Sequence, residues 1–153
     1  MQEPKVTQTH GAFTLVCAVE VHIRAHVALL WRLLTDAQGF ARWNSTVSGI
    51  EGQIREGERL RLHVPGVART FTPRVSGVVP PERMTWTSGC APLFKGVRTF
   101  TLSPRADGST DFAMAERFSG LLVPLLKGVL PDFGPLFARY ANDLQREAER
   151  ATP

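Results

Sequence analysis

Residues 133–150 carry the one long helical stripe in this chain, and they follow a stretch in which only strand patterning is visible. Phe133, Leu136, Phe137, Tyr140, Ala141, Leu144 and Ala148 recur at spacings of three and four and share one face. Arg139, Asn142, Asp143, Arg146 and Arg150 fall on the other side. Asp132 is placed to cap the N-terminus, and Pro135 lies in the first turn, where its missing N–H costs least. Eighteen helical residues rise about 27 Å, enough to lie along a whole sheet.

What precedes this helix is mostly strand. In residues 13–24 Phe13, Leu15, Cys17, Val19, Val21 and Ile23 alternate, the period of a half-buried strand. The period then changes: Val27, Leu30, Trp31 and Leu34 predict a short amphipathic helix ending near Asp36, and a further helical turn over 37–43 brings Phe40 and Trp43 together. Residues 47–119 read as a meander of six strands, punctuated by Glu56-Gly57, Pro65-Gly66, Pro80-Pro81, Ala91-Pro92 and Asp107-Gly108. Asp-Gly suits a tight hairpin because both residues tolerate positive φ.

The order β-α-α-β6-α predicts an α+β helix-grip fold, a curved antiparallel seven-stranded sheet wrapped around the long C-terminal helix. Residues 12–150 form the single domain, with tails at 1–11 and 151–153. A sheet covered by one helix need not be filled between the layers, so a cavity of about 300–1,000 Å³ is expected.

Composition narrows the function. Of 153 residues 43% are hydrophobic and 21% charged, which excludes a disordered chain. The most apolar stretch, 121–130, is too short to span a bilayer, which takes about 20 residues, and the N-terminus lacks a signal-peptide pattern; a cytoplasmic protein is expected. The net charge of +4 comes mainly from arginines scattered between Arg24 and Arg150 and interleaved with acids, as in Glu56, Glu58, Arg59 and Arg61. A phosphate-tracking surface needs clustered cations, so no nucleic-acid partner is expected. Cys17 and Cys90 have no metal-ligand spacing and read as buried reduced thiols. His10, His22, His26 and His63 form no HExxH motif and show no pairing with carboxylates, so neither metal nor cofactor is expected. No GxSxG, P-loop or GxGxxG is present.

Seven motifs in order resemble the SRPBCC superfamily (START/Bet v 1-like), in particular its bacterial polyketide cyclase/dehydrase-like members. They are Val21-x-Ile23-x-Ala25, Leu30-Trp31 with Leu34-x-Asp36, Ala41-Arg42-Trp43-Asn44, Phe71-x-Pro73-x-Val75, Pro81-x-x-Met84-x-Trp86, Leu93-Phe94-x-Gly96 and Glu116-x-Phe118-x-Gly120, spread over residues 12–149. The resemblance implies the helix-grip fold and an internal ligand site, and leaves carriers, enzymes and regulators open. Close relatives often have His at the position of Arg98, so no histidine-based role carries over.

Parity supplies the candidate site. Arg98 shares a face with Phe100 and Leu102, and Glu116 with Phe112, Met114 and Phe118, so both point inward across the Asp107-Gly108 hairpin. The pair reads either as a polar anchor for a ligand or as an ion pair that sets strand register. Trp86, Phe71, Phe112, Met114, Phe133, Phe137 and Tyr140 are the candidate walls, each with core packing as the alternative reading. Residues 121–130 read as a lid, a plug, or an interaction face for a homodimer or membrane surface, placed beside the turns at 65–66 and 91–93. The leading function is binding or transport of an apolar small molecule (lipid, isoprenoid or aromatic polyketide-like). The alternatives are a cyclase/dehydratase-type enzyme using Arg98, Glu116 and Tyr140, and an interaction module using 121–130.

Overall fold

In the computed structural model, which describes residues 1–152, the chain begins with a strand pair: β1, Lys5–His10, runs antiparallel to β2, Thr14–Ile23. Helices α1, Val27–Thr35, and α2, Phe40–Trp43, follow. His26 caps α1 by accepting a hydrogen bond from the Ala28 N–H. Then come β3, Gly49–Glu51; β4, Arg61–His63; β5, Arg74–Val79; β6, Arg83–Cys90; β7, Phe94–Pro104; and β8, Thr110–Ser119. Short helix α3, Val123–Leu126, leads to α4, Phe133–Arg150, which Asp132 caps by accepting from Gly134 N–H.

The main sheet has six antiparallel strands in the order β1-β2-β8-β7-β6-β5, and with α4 it forms the expected helix-grip α+β fold. Two details differ from the expected seven-stranded sheet. First, residues 5–10, expected within a tail, are an edge strand in register from Lys5↔Glu20 to His10↔Leu15. Val6 is its only apolar residue, so no alternation betrays it, and its partner strand supplies the ladder. Gln8 also ties it to α4, its amide donating to Asp132 at 3.0 Å. Second, β3 and β4 form a separate two-stranded ladder. The segment around β4 bonds to residues 71–75: Leu62 and Phe71 exchange both backbone bonds, and Leu60 N–H donates to the Pro73 carbonyl. Pro73 has no N–H to return, so the ladder breaks where β4 would have joined β5. At the other end of the chain, within the expected 151–153 tail, Ala151 closes α4 through Glu147 O and Thr152 bonds Ala148 O, while Pro153 lies outside the described residues.

Helix α4 runs closest to β1 and β2. Its second half packs solidly, with Ala141, Leu144 and Ala148 fully buried in a core that includes Leu30, Leu34, Phe40, Met84 and Phe100. Asp143, expected on the outer face, is also buried. It accepts from Ser45 N–H (2.8 Å) and Ser45 Oγ (2.7 Å) and so pins the chain after α2 to α4. Periodicity places it at the edge of the stripe, and these bonds satisfy the carboxylate there.

The two halves of α4 should differ in sensitivity. Leu144→Ala should cost about 2–5 kcal/mol in urea unfolding. Leu136→Ala, on the half-buried and loosely packed turn, should cost less than about 1.5 kcal/mol.

Candidate functional site

Between the first half of α4 and the sheet the interior is hollow. A cavity of about 580 Å³ is walled by Trp86, Phe94, Arg98, Met114, Glu116 and Phe118 on the sheet and by Phe133, Leu136, Phe137 and Tyr140 on α4. Pro65, Val67, Arg69 and Phe71 lie on one side of its mouth, and Leu126, Leu130 and Pro131 on the other. Residues 121–131 lie beside the 91–93 turn as expected, while Pro65 of the 65–66 turn shares the cavity lining with them. Leu121 and Leu122 N–H groups bond the carbonyls of Pro92 and Leu93.

Strand register aligns the polar groups of the wall. Trp86 on β6 stands opposite Arg98 on β7, Arg98 opposite Glu116 on β8, and Glu116 opposite Cys17 on β2. Arg98 donates to Glu116 Oε2 through Nη2 (2.7 Å) and Nε (3.2 Å), and its guanidinium sits 5.1 Å from the centre of the Phe137 ring. Their side chains are only 19% and 14% exposed. Burial works to lower the Arg98 pKa, but attraction to and hydrogen bonding with Glu116 outweigh it and the net shift is upward. Glu116 Oε1 accepts no bond among the described residues. It lies beside Gly96, where a Cβ would stand 3.5 Å from Oε1 and 3.2 Å from the Phe118 ring. Gly96 thus leaves room for both groups at the wall.

Tyr140 separates the hollow half from the solid half. Its ring stacks on Phe112 at 6.2 Å and meets Phe40 and Trp43 at 6.0 Å. Phe112, expected as a wall, therefore lies within the solid core: it faces inward as its parity requires, but Tyr140 covers it. Burial pushes the Tyr140 phenol far above its ordinary range, with Arg98 opposing, so the side chain stays neutral. The Tyr140 hydroxyl and the Trp86 indole N–H are both buried without a partner among the described residues. Such a group costs about 1–3 kcal/mol until something bonds it.

Of the expected site residues, Arg98, Glu116, Trp86, Phe71, Met114, Phe133, Phe137 and Tyr140 meet at the cavity, with Phe71 at its rim. Sequence reasoning missed Gly96, whose role is to be small, and Arg69, which lies over the Phe71 ring at 5.6 Å. A glycine within an alternating strand was the available signal for the first; Arg69 had none. Two other expectations are corrected. Cys90 is exposed rather than buried, because it closes β6 at a turn. His22 pairs with Asp111 (2.9 Å) and His63 with Glu51 (2.7 Å), across strand pairings on the outer surface that spacing along the chain does not reveal.

Residues 14–150 match the family described as polyketide cyclase/dehydrase and lipid transport. The chain belongs to that family. Among solved structures, a Rhodobacter sphaeroides protein aligns over 98% of this chain and 100% of its own, with a TM-score of 0.72 and 19% identity. A START superfamily protein from Mycobacterium smegmatis aligns over 90% and 99%, with a TM-score of 0.67 and 19% identity. DynU16, from the dynemicin biosynthetic locus, aligns over 89% of this chain and 48% of its own, at TM-score 0.62 and 22% identity. At these identities the likeness is one of fold, the helix-grip fold. No curated protein matches the sequence significantly.

Two measurements check the electrostatics of the wall. Glu116→Ala should destabilise by about 3–5 kcal/mol in denaturant unfolding, since it strands the Arg98 charge. The Arg98→Met/Glu116→Leu pair should recover most of that loss; additive losses would mean that the two residues are uncoupled. Burial, followed by Asp132 and Glu116, raises the Cys17 thiol to about 11, so at pH 8 it is protonated as well as shielded. Titration with a thiol reagent should modify Cys90 alone in the folded protein and Cys17 only after unfolding.

Proposed function

We propose that this protein binds and carries a hydrophobic small molecule (a lipid, an isoprenoid or an aromatic polyketide-like compound) in the cavity under α4. The observation that carries the reading is a mostly apolar hollow of about 580 Å³ whose sheet wall holds a charged pair, Arg98–Glu116, with Thr46, Ser88 and Arg69 as further polar side chains of its lining. Its volume falls within the usual range of small-molecule sites. The family's description, which includes lipid transport as well as cyclase/dehydrase chemistry, accords with it.

The ion pair also selects what enters. Its net charge is zero, so a formally charged ligand head would add an unbalanced charge to an apolar interior, which is expensive. A hydroxyl suits the pair better: it can donate to Glu116 Oε1 and accept from a guanidinium N–H that Glu116 does not use. Proton transfer at neutral pH calls for a group that titrates near 7. Arg98 and Tyr140 both move away from that range, and this favours carriage over turnover.

Displacement of a fluorescent apolar dye from the purified protein tests the reading. A long-chain alcohol should compete at lower concentration than the carboxylate or hydrocarbon of equal length. The Arg98→Met/Glu116→Leu protein should lose about tenfold in affinity for the alcohol, the worth of a hydrogen bond to a charged group, and little for the hydrocarbon. Equal losses for both would remove the anchor, and an absence of saturable dye binding would remove the carrier. Native mass spectrometry of freshly purified protein would identify a retained ligand.

A further inference from the structure

The cavity mouth lies at one end of the sheet, and that end differs from the rest of the surface in two ways. It is greasy. Leu121, Leu125 and Val129 are 58%, 76% and 75% exposed, and Phe13, Leu93 and Val67 are exposed beside them. Backbone bonds draw most of this patch together: Gly120 N–H donates to Phe13 O and Leu122 N–H to Leu93 O, and the Lys127 ammonium donates to Gly11 O. Val67 joins across the mouth, which it lines together with Leu126 and Leu130. Gly120 makes the close approach possible. At φ +131° it takes a backbone conformation that disfavours side chains, and a Cβ there would collide with the Leu93 carbonyl.

The same end is also free of acid. Residues 9–15, 64–73, 88–97 and 117–131 contain none of the chain's 14 acidic residues, yet they hold Arg69, Lys95, Arg117 and Lys127. Two of these segments are turns at this end of the sheet and a third leads from β8 into α3, as the pairings His10↔Leu15, Cys90↔Phe94 and Thr14↔Ser119 show. The first acid beyond them, Asp132, is occupied by Gln8 and the α4 N-terminus. Acids gather instead towards the opposite end, where Glu82, Asp107 and Asp111 lie on and beside the β5–β6 and β7–β8 turns. Apolar side chains standing out of a cationic, acid-free rim are the pattern of a surface that enters an anionic lipid interface.

We infer that this end of the molecule docks on anionic bilayers, with Leu121, Leu125 and Val129 in the interface, Arg69, Lys95 and Lys127 at the headgroups, and the cavity mouth opening onto the lipid. The docking surface stands on exposure and charge alone. Only its use for loading ligand from the membrane rests on the carrier reading.

Vesicle sedimentation with the full chain tests the surface. Protein should pellet with vesicles of phosphatidylcholine containing 30% phosphatidylglycerol and stay in the supernatant with phosphatidylcholine alone. Binding should fall steeply between 0.05 and 0.5 M salt. Leu125→Glu/Val129→Glu should reduce it at least tenfold, and Lys95→Gln should weaken it roughly fivefold. In the same Leu125→Glu/Val129→Glu protein, dye binding without vesicles should be unchanged, which separates failure of the surface from failure of the cavity and reports folding. Leu125→Trp should give an emission blue-shift with the anionic vesicles beyond that of the parent protein. No pelleting with anionic vesicles, equal pelleting with both kinds, or indifference to the Leu125 and Val129 substitutions would overturn the inference. So would a homodimer that the same substitutions convert to monomer while vesicles bind neither form, since the patch would then be a subunit interface.

Discussion

A helix about 10–12 Å across cannot cover a sheet whose six strands, at about 4.8 Å spacing, are some 24 Å wide, and the rest of the structure follows from how that shortfall is met. Helix α4 stays close to β1 and β2, leaving the β5–β7 side of the sheet for other elements to cover. Along the second half of α4, α1 and α2 fill the remaining space with Leu30, Leu34 and Phe40, and Ala141 and Ala148 allow close approach. Along its first half the further helix is α3, just four residues at the edge. Phe133 and Phe137 act as spacers, α3 and the loop before β5 form a rim, and the cavity is what is left. Solid half and hollow half belong to one helix, and Tyr140 marks the change.

The polar row across the sheet depends on that hollow. An Arg–Glu pair inside a solid core is often no better than well-packed apolar side chains. Here the pair borders open space, keeps a small exposure to it, and leaves a carboxylate oxygen and guanidinium hydrogens uncommitted. Gly96 beside it and Phe137 over it serve that arrangement, one by leaving room and the other by placing a ring face against the cation. Trp86 and Tyr140 line the same cavity, and each buries a polar hydrogen that has no partner among the described residues. Stability is concentrated where α4 is packed, and the capacity to bind where it is not. The same division puts the greasy, acid-free rim at the hollow end, so that the opening and the proposed membrane-facing surface coincide.

The residues themselves determined much of this. The alternation of Leu15 to Ile23 makes β2, and the Asp107-Gly108 turn sets β7 against β8 so that Arg98 meets Glu116 directly. The stripe from Phe133 to Ala148 names the face of α4 that turns inward. Period and parity are local properties, readable because each side chain's direction follows from its neighbours along the chain. What they report is a face, never a depth. Whether an inward residue meets another side chain or a void depends on the distance between layers, which many distant side chains set together. Only the tertiary structure could therefore put Phe112 behind Tyr140, leave Trp86 at a cavity, bury Asp143 against Ser45, recruit Lys5–His10 as an edge strand, and break the β4 ladder at Pro73.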